Sequence, residues 1–320
     1  MIALRAVVLA GALALGGCAA LTPPQTRALT AALPPGLPER VERTEVPFFP
    51  QTPQHCGPAA LATALSHAGL PTTPADLSAS VFLPAREGSL QVEMLAGARQ
   101  RGALAYRLPG ELSALLRELA AGHAVVVLQN LGLDWLPRWH YAVLVGYDLP
   151  RRELLLRSGV TQREVMSLDT FEHTWARGGH WAMLALPPGR LPVAVDEAAA
   201  LQAALGFERG APPRAAARAY EALLARWPAS LAAAIGLGNA RLAAGDPRGA
   251  GRAFAQAARQ HDSAAAWNNL AQARLRSGEL PAARAAAQRA LARARQAEPQ
   301  WLAAALETER ELAQAARTPR

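Results

Sequence analysis

The chain has 320 residues, room for about two domains at ~150 residues each. Lysine is absent, so all 33 basic residues are arginine, and against 25 Asp+Glu they leave a formal charge of +8. With 51% hydrophobic residues and 18% charged the composition excludes a disordered tail or a collagen-like fibre, singly scattered arginines and 5% aromatics offer little to a nucleic-acid face, and two cysteines cannot frame a disulfide scaffold.

Arg5 precedes an apolar run, Ala6 to Leu15, half of the ~20 residues a bilayer requires. A charged start, a short apolar core and the small residues Gly16 and Gly17 predict an export signal over residues 1–17. Leu15-Gly16-Gly17-Cys18 resembles the lipobox of bacterial lipoproteins. That resemblance implies that Cys18 is acylated and becomes the first residue, and Ala19 after it implies the outer membrane, with the protein facing the periplasm. Residues 18–44, rich in proline (Pro23, Pro24, Pro34, Pro35, Pro38), read as a tether. Charges, glycines or prolines interrupt every later apolar run, so the protein is expected to be anchored rather than spanning.

Cys56-Gly57-Pro58-Ala59 followed by alanine and leucine up to Gly69 reads as a helix with proline in its first turn. A sulfur placed there feels the positive end of the helix, which favours thiolate and lowers the pKa from ~8.5. The free N–H groups of that first turn can stabilise an oxyanion. The other reading of Cys56 is a small apolar core residue. Thr73-Pro74-Ala75-Asp76 predicts a helix cap, Ser89 a cap for a helix ending near Gly102, and Glu111 to Ala121 a further helix. Ala124–Gln129 and Trp139–Asp148 read as strands, and the turn at Asp148-Leu149-Pro150 folds the second onto Glu153–Ser158. Phe171–Trp175 reads as a short helix and Trp181–Leu186 as a last strand. His140, opening its strand, is the best-placed base for the thiol, although a histidine in a strand is more often a hydrogen-bonded core residue. No two histidines fall at i, i+4 on one helix, so no metal is expected, and no cofactor.

Taken together, Gln51, Cys56-Gly57-Pro58-Ala59, His140-Tyr141 and Gly146-Tyr147-Asp148 resemble the C39-like branch of the papain-like cysteine peptidases over residues 45–190. The resemblance implies an α+β domain in which Cys56 attacks a carbonyl, His140 takes and returns the proton, and Gln51 donates to the oxyanion. Gln54 is the rival donor, and His55 is expected to point away. In the family an Asp or Asn on the strand after the histidine orients the imidazole; here Ser158 takes that place. A hydroxyl can fix the tautomer but cannot stabilise imidazolium as a carboxylate does, which implies a slower enzyme or none. Asp148 lies eight residues on, up to ~26 Å along an extended strand. Asn130 and Asp134 precede Trp139 in a loop, and the choice among Ser158, Asn130 and Asp134 stays open.

After Pro187-Pro188-Gly189 the composition turns to alanine, arginine and leucine. Setting Gly245-Asp246 on Gly278-Glu279 brings Leu237, Gly238, Ala250 and Phe254 onto Leu270, Ala271, Ala283 and Ala287. This period resembles tetratricopeptide repeats over residues 195–296, with a looser unit around Gly210, Tyr220 and Pro228 and a capping helix over 297–320. The expected fold is thus α+β followed by an all-α repeat domain. The expected function is a membrane-anchored periplasmic cysteine peptidase acting through a thioester, with a peptide or protein substrate, a protein partner on the repeats, the membrane held through Cys18, and no nucleic acid. Two alternatives share the same residues: a weak or dead binding scaffold, and an acyl transferase. Relatives that process double-glycine leader peptides are fused to membrane-spanning exporters, and no such segment is read here, so that substrate is not carried over.

Overall fold

A computed structural model describes residues 22–51 and 54–317 of the chain. The expected export signal and Cys18, the expected acylation site, lie outside the described residues. Two compact units emerge. The first holds residues up to 101, 105–186 and 192–195; the second holds 196–320 with 102–104 and 187–191.

The first unit opens with helix α1 (Pro24–Ala31), where a tether had been expected. Pro24 in the first turn begins this helix instead of breaking it, Thr26 and Leu29 are buried, and the buried Glu172 accepts the N–H groups of Gln25 at 2.8 Å and Thr26 at 2.5 Å. Those two donors would otherwise have no partner at a helix start. Strand β1 (Arg40–Glu42) follows, then α2 (Cys56–His67), α3 (Pro74–Val81) and α4 (Gln91–Gln100). Thr73 and Asp76 form a reciprocal capping box on α3, as the sequence predicts. Ser89 does not cap α4, whose N-cap is Leu90; its carbonyl accepts instead from the Tyr141 hydroxyl at 3.2 Å.

The remaining elements are β2 (Leu104–Arg107), α5 (Leu112–Ala120), β3 (Val125–Asn130), β4 (Trp139–Asp148), β5 (Glu153–Ser158), β6 (Thr161–Ser167), α6 (Leu168–Arg177) and β7 (Ala182–Leu186). They build one sheet in the order β2-β7-β3-β4-β5-β6, with β1 added on β4. The unbroken apolar start of β3 is buried along its whole length, the pattern of a strand covered on both faces. Along one edge of β4, β3 pairs with residues 139–144 and β1 with 146–148, while β5 pairs antiparallel along the other edge. Gly146 is required where these meet, because a Cβ there would sit 2.2 Å from the Val41 carbonyl oxygen. The buried Arg157 donates to the carbonyls of Thr44, Val46 and Gln162, and so fastens the segment leading to Gln51 onto β5.

The second unit is all helical: α7 (Glu197–Glu208), α8 (Pro213–Arg226), α9 (Leu231–Ala243), α10 (Pro247–His261), α11 (Ala264–Arg276), α12 (Leu280–Gln296) and α13 (Leu302–Ala315). Asp196, Ser230, Asp246 and Ser263 each cap a helix through the side chain. Helices pack chiefly on their sequence neighbours. Glycine lets them approach closely: a Cβ on Gly236 would meet the Tyr220 ring at 2.4 Å, and one on Gly238 the Phe254 ring at 2.2 Å. Gly245 and Gly278, 33 positions apart, both end helices at φ +78°, so the period read from the sequence is also a period of the backbone.

Candidate active site

Helix α2 begins at Cys56, and its N-cap residue, His55, provides no side-chain cap, which leaves the first backbone N–H groups open to the sulfur. Gly57 permits this start, since a Cβ there would lie 2.2 Å from Ser89 Oγ. Residues Gly57 to Leu65 are buried without interruption. The core therefore holds the helix, and its partly exposed first residue lines a cleft.

The sulfur of Cys56 lies among the backbone amides of Tyr141, Gly57 and Cys56 itself. Hydrogen bonds from these amides favour thiolate, but burial is the larger effect and pushes the thiol pKa above its ordinary value. The expectation that the helix start would make Cys56 acidic is corrected on this point: desolvation outweighs the amide dipoles. The Tyr141 amide also fixes the topology, because it brings the start of β4, and with it the preceding His140, to the sulfur.

His140 Nε2 lies 2.9 Å from Ser158 Oγ. Burial lowers the imidazole pKa, Glu164 raises it, and Arg138 lowers it further. Both shifts favour the uncharged forms, thiol for Cys56 and neutral imidazole for His140. With Nε2–H turned to Ser158, the free ring nitrogen is Nδ1. Cys56, His140, Gln51, Trp139, Tyr141 and Val160 are among the residues lining one cleft of about 970 Å³, and the exposed Trp139 and Val160 make part of its rim apolar.

Gln51 is fixed twice: its amide N–H donates to the Gly159 carbonyl at 3.0 Å, and its Nε2 donates to the Tyr141 carbonyl at 3.2 Å. A primary amide has two N–H donors, so among the described residues one is left for a ligand in the cleft. Gln54 also lines the cleft, with its Nε2 on Glu87 Oε2 at 3.2 Å. His55 stacks on Phe82 at 4.4 Å between ring centroids and is turned from the cleft, as expected. Asn130 uses its side chain on its own loop, accepting from the Gly132 and Arg138 amides and donating to the Leu133 carbonyl. Asp134 is exposed in that loop, and Asp148 pairs with Arg40 at 3.0 Å. Of the candidate orienting groups, Ser158 is the one that meets His140.

Two participants escaped the sequence reading. The Tyr141 amide acts through the backbone, which no residue type announces. Glu164 lies on β6, a mostly exposed strand that was not among the expected elements. The registers Leu144↔Leu156 and Leu156↔Glu164 put it on the same sheet face as His140, since side chains alternate along a strand. Among the described residues no group of three His, Cys, Asp or Glu could hold a metal, and no helix is long and apolar enough to cross a membrane.

A cysteine at a helix start, a histidine from the antiparallel sheet and a glutamine on the preceding segment share one cleft. Residues 43–183 match the sequence model of the Peptidase_C39 like family, so the first unit is a C39-like peptidase domain, a cysteine peptidase-type hydrolase at the level of the family. A structure described as a C39-like peptidase from Bacillus anthracis is similar at 20% identity and TM-score 0.41, covering 47% of this chain and 98% of that one. The peptidase domain of Streptococcus ComA is similar at 18% identity and TM-score 0.37, over 44% and 98%. The Yersinia enterocolitica chaperone SycD, solved with a peptide of the translocator YopD, is similar at 18% identity and TM-score 0.34, over 37% and 89%. Similarities this distant carry no activity or partner to the present chain. No curated protein matches it.

Proposed function

We propose that the protein is a cysteine peptidase that cleaves a peptide bond through a thioester, and the observation carrying this is the shared cleft of Cys56 and His140 with His140 Nε2 held on Ser158. As Cys56 Sγ attacks a carbonyl carbon, His140 Nδ1 takes the thiol proton. The oxyanion that forms accepts hydrogen bonds from the second N–H of Gln51 and the Cys56 amide. Collapse expels the amine, which leaves with the proton from His140, and a thioester remains on Cys56. Water, deprotonated by His140, then hydrolyses the thioester and restores the free thiol. Ser158 keeps the ring in the correct tautomer without adding negative charge, so turnover is slow compared with a site carrying a carboxylate.

The helical unit serves, in this reading, as a tetratricopeptide-like stack that recruits a substrate or partner, raising its local concentration. Acylation of Cys18 anchors the chain in the outer membrane, facing the periplasm. The six residue steps from Cys18 to Pro24 span at most about 20 Å, so α1 is held close to the lipid. A second reading, a binding scaffold without turnover, is favoured by the hydroxyl at Ser158. A third, transfer of the acyl group to an amine, uses the same intermediate.

Full-length protein incubated with a mixed peptide library, its products read by mass spectrometry, tests these readings. Cleavage that disappears in Cys56→Ala supports the peptidase; amide products formed with an added amine indicate transfer. If neither products nor a trapped acyl-cysteine form, the scaffold reading replaces both.

A further inference from the structure

We infer that the recessed face of the helical unit lined by α8 to α12 is a docking trough for an acidic polypeptide segment. This deepens the recruiting role proposed above by giving the partner's chemistry, and it stands apart from whether the thiol site turns over. Three hollows of about 500, 260 and 510 Å³ lie along this face. The first two share Arg252, and the second and third share Ala255 and Arg274, so they form one continuous recess. Small residues such as Ala217, Gly251, Ala255 and Ala258 line it, which lets a guest backbone come close.

Eight arginines line the recess against four carboxylates. Three of the carboxylates are committed: Glu221 to Arg241 at 2.9 Å, Asp246 to the Gly249 amide at 2.7 Å, and Asp262 to Trp267 Nε1 at 2.8 Å, with Arg293 at 3.4 Å. Glu279 stands at the middle hollow. On the cationic side Arg274 donates to the Ala282 carbonyl and Arg289 covers the Trp267 ring at 5.1 Å. Arg214, Arg218, Arg248, Arg252 and Arg259 are exposed, and among the described residues none of them makes a hydrogen bond or an ion pair.

Folding does not account for this placement. Arg214/Arg218 and Arg248/Arg252 are i, i+4 like-charge pairs, which destabilise a helix. Arg259, seven residues beyond Arg252, extends the same stripe of α10. A row of unpaired guanidinium forks over a floor of small residues matches a row of carboxylates, each able to accept two parallel N–H bonds. The aromatic in the recess, Trp267, is already covered by Arg289, which leaves no stacking platform for bases. The surface is recessed and its floor is alanine and glycine, unlike the amphipathic face that lies on a bilayer.

The test is binding of a fluorescent decaglutamate peptide to the full-length chain carrying Cys56→Ala, which keeps the peptide intact whatever the thiol does. Expected are binding that weakens as salt is raised, no binding of decalysine, and an affinity loss of about tenfold in the triple variant Arg248→Ala/Arg252→Ala/Arg259→Ala. Alanine favours helix, and an unchanged circular dichroism spectrum confirms that the variant folds. The triple Arg→Lys variant should keep part of the affinity, because charge remains while the planar fork is lost. Unchanged decaglutamate binding in the alanine variant overturns the proposal. So does tighter binding of decathymidylate or of phosphatidylglycerol vesicles through the same arginines.

Discussion

Changing Ser158 tests the orientation of His140 most directly. Ser158 is 8% exposed, and its hydroxyl is 2.9 Å from His140 Nε2. Ser158→Ala leaves that nitrogen without its partner in a partly buried place, at a cost of about 1–3 kcal/mol; if the loss falls on the reacting geometry, the rate drops between about fivefold and 150-fold. Ser158→Asp does the opposite. A carboxylate about 4 Å from the ring attracts imidazolium by about 4 kcal/mol at an effective dielectric near 20, and part of that is spent on desolvating the new charge. A net rise of one to two units in the His140 pKa is expected, with faster attack by Cys56 because the ring becomes a stronger base. The assays are the NMR titration of His140 and the rate of Cys56 alkylation, with Ser158→Asn as a control for side-chain size. If Ser158→Ala leaves both readouts unchanged, the hydroxyl does not orient the imidazole and the reasoning fails.

The remaining predictions concern the sulfur, the oxyanion donor, a strand contact and α1. Because burial raises the Cys56 pKa and lowers that of His140, alkylation of Cys56 should climb with pH beyond the range of an ordinary thiol, ~8.5; a plateau in mild acid would instead reveal a thiolate–imidazolium pair. The depressed His140 pKa also means that the unfolded chain binds the proton first, so the first unit should lose stability as pH falls from about 6.5 through the lower folded value, a slope that His140→Gln abolishes in urea titrations. Gln51→Ala should cut kcat by about 100-fold or more with little change in KM; a pure KM effect would place Gln51 in ground-state binding. Gly146→Ala should destabilise the first unit by about 1–3 kcal/mol, because its Cβ would press on the Val41 carbonyl, and an unshifted urea midpoint would contradict that contact. Glu172→Ala removes the acceptor of two α1 amides at about 1–3 kcal/mol, and should speed tryptic cleavage after Arg27 without unfolding the sheet.

Legibility followed the range of the interaction that fixes each feature. Local chemistry was readable: the Thr73–Asp76 box, the helix start at Cys56, the β4–β5 hairpin and the glycine period of the helical unit are all written in residues a few positions apart. Ser158 could be placed near His140 because the hairpin sets their strands side by side. What the sequence hid depends on partners far along the chain. α1 looked like a proline-rich tether because Glu172, which accepts its first amides, lies almost 150 residues away. Strand β6 was not among the expected elements because an exposed edge strand needs no apolar alternation, and Glu164 stayed hidden with it. The charge state of Cys56 was misjudged for a related reason. The helix start is local and visible, whereas the desolvation that outweighs it comes from a cleft whose walls include Gln51, Leu90, His140 and Val160. A thiol assessed from its own helix alone looks acidic; with the walls of the cleft around it, burial shifts it toward the protonated form.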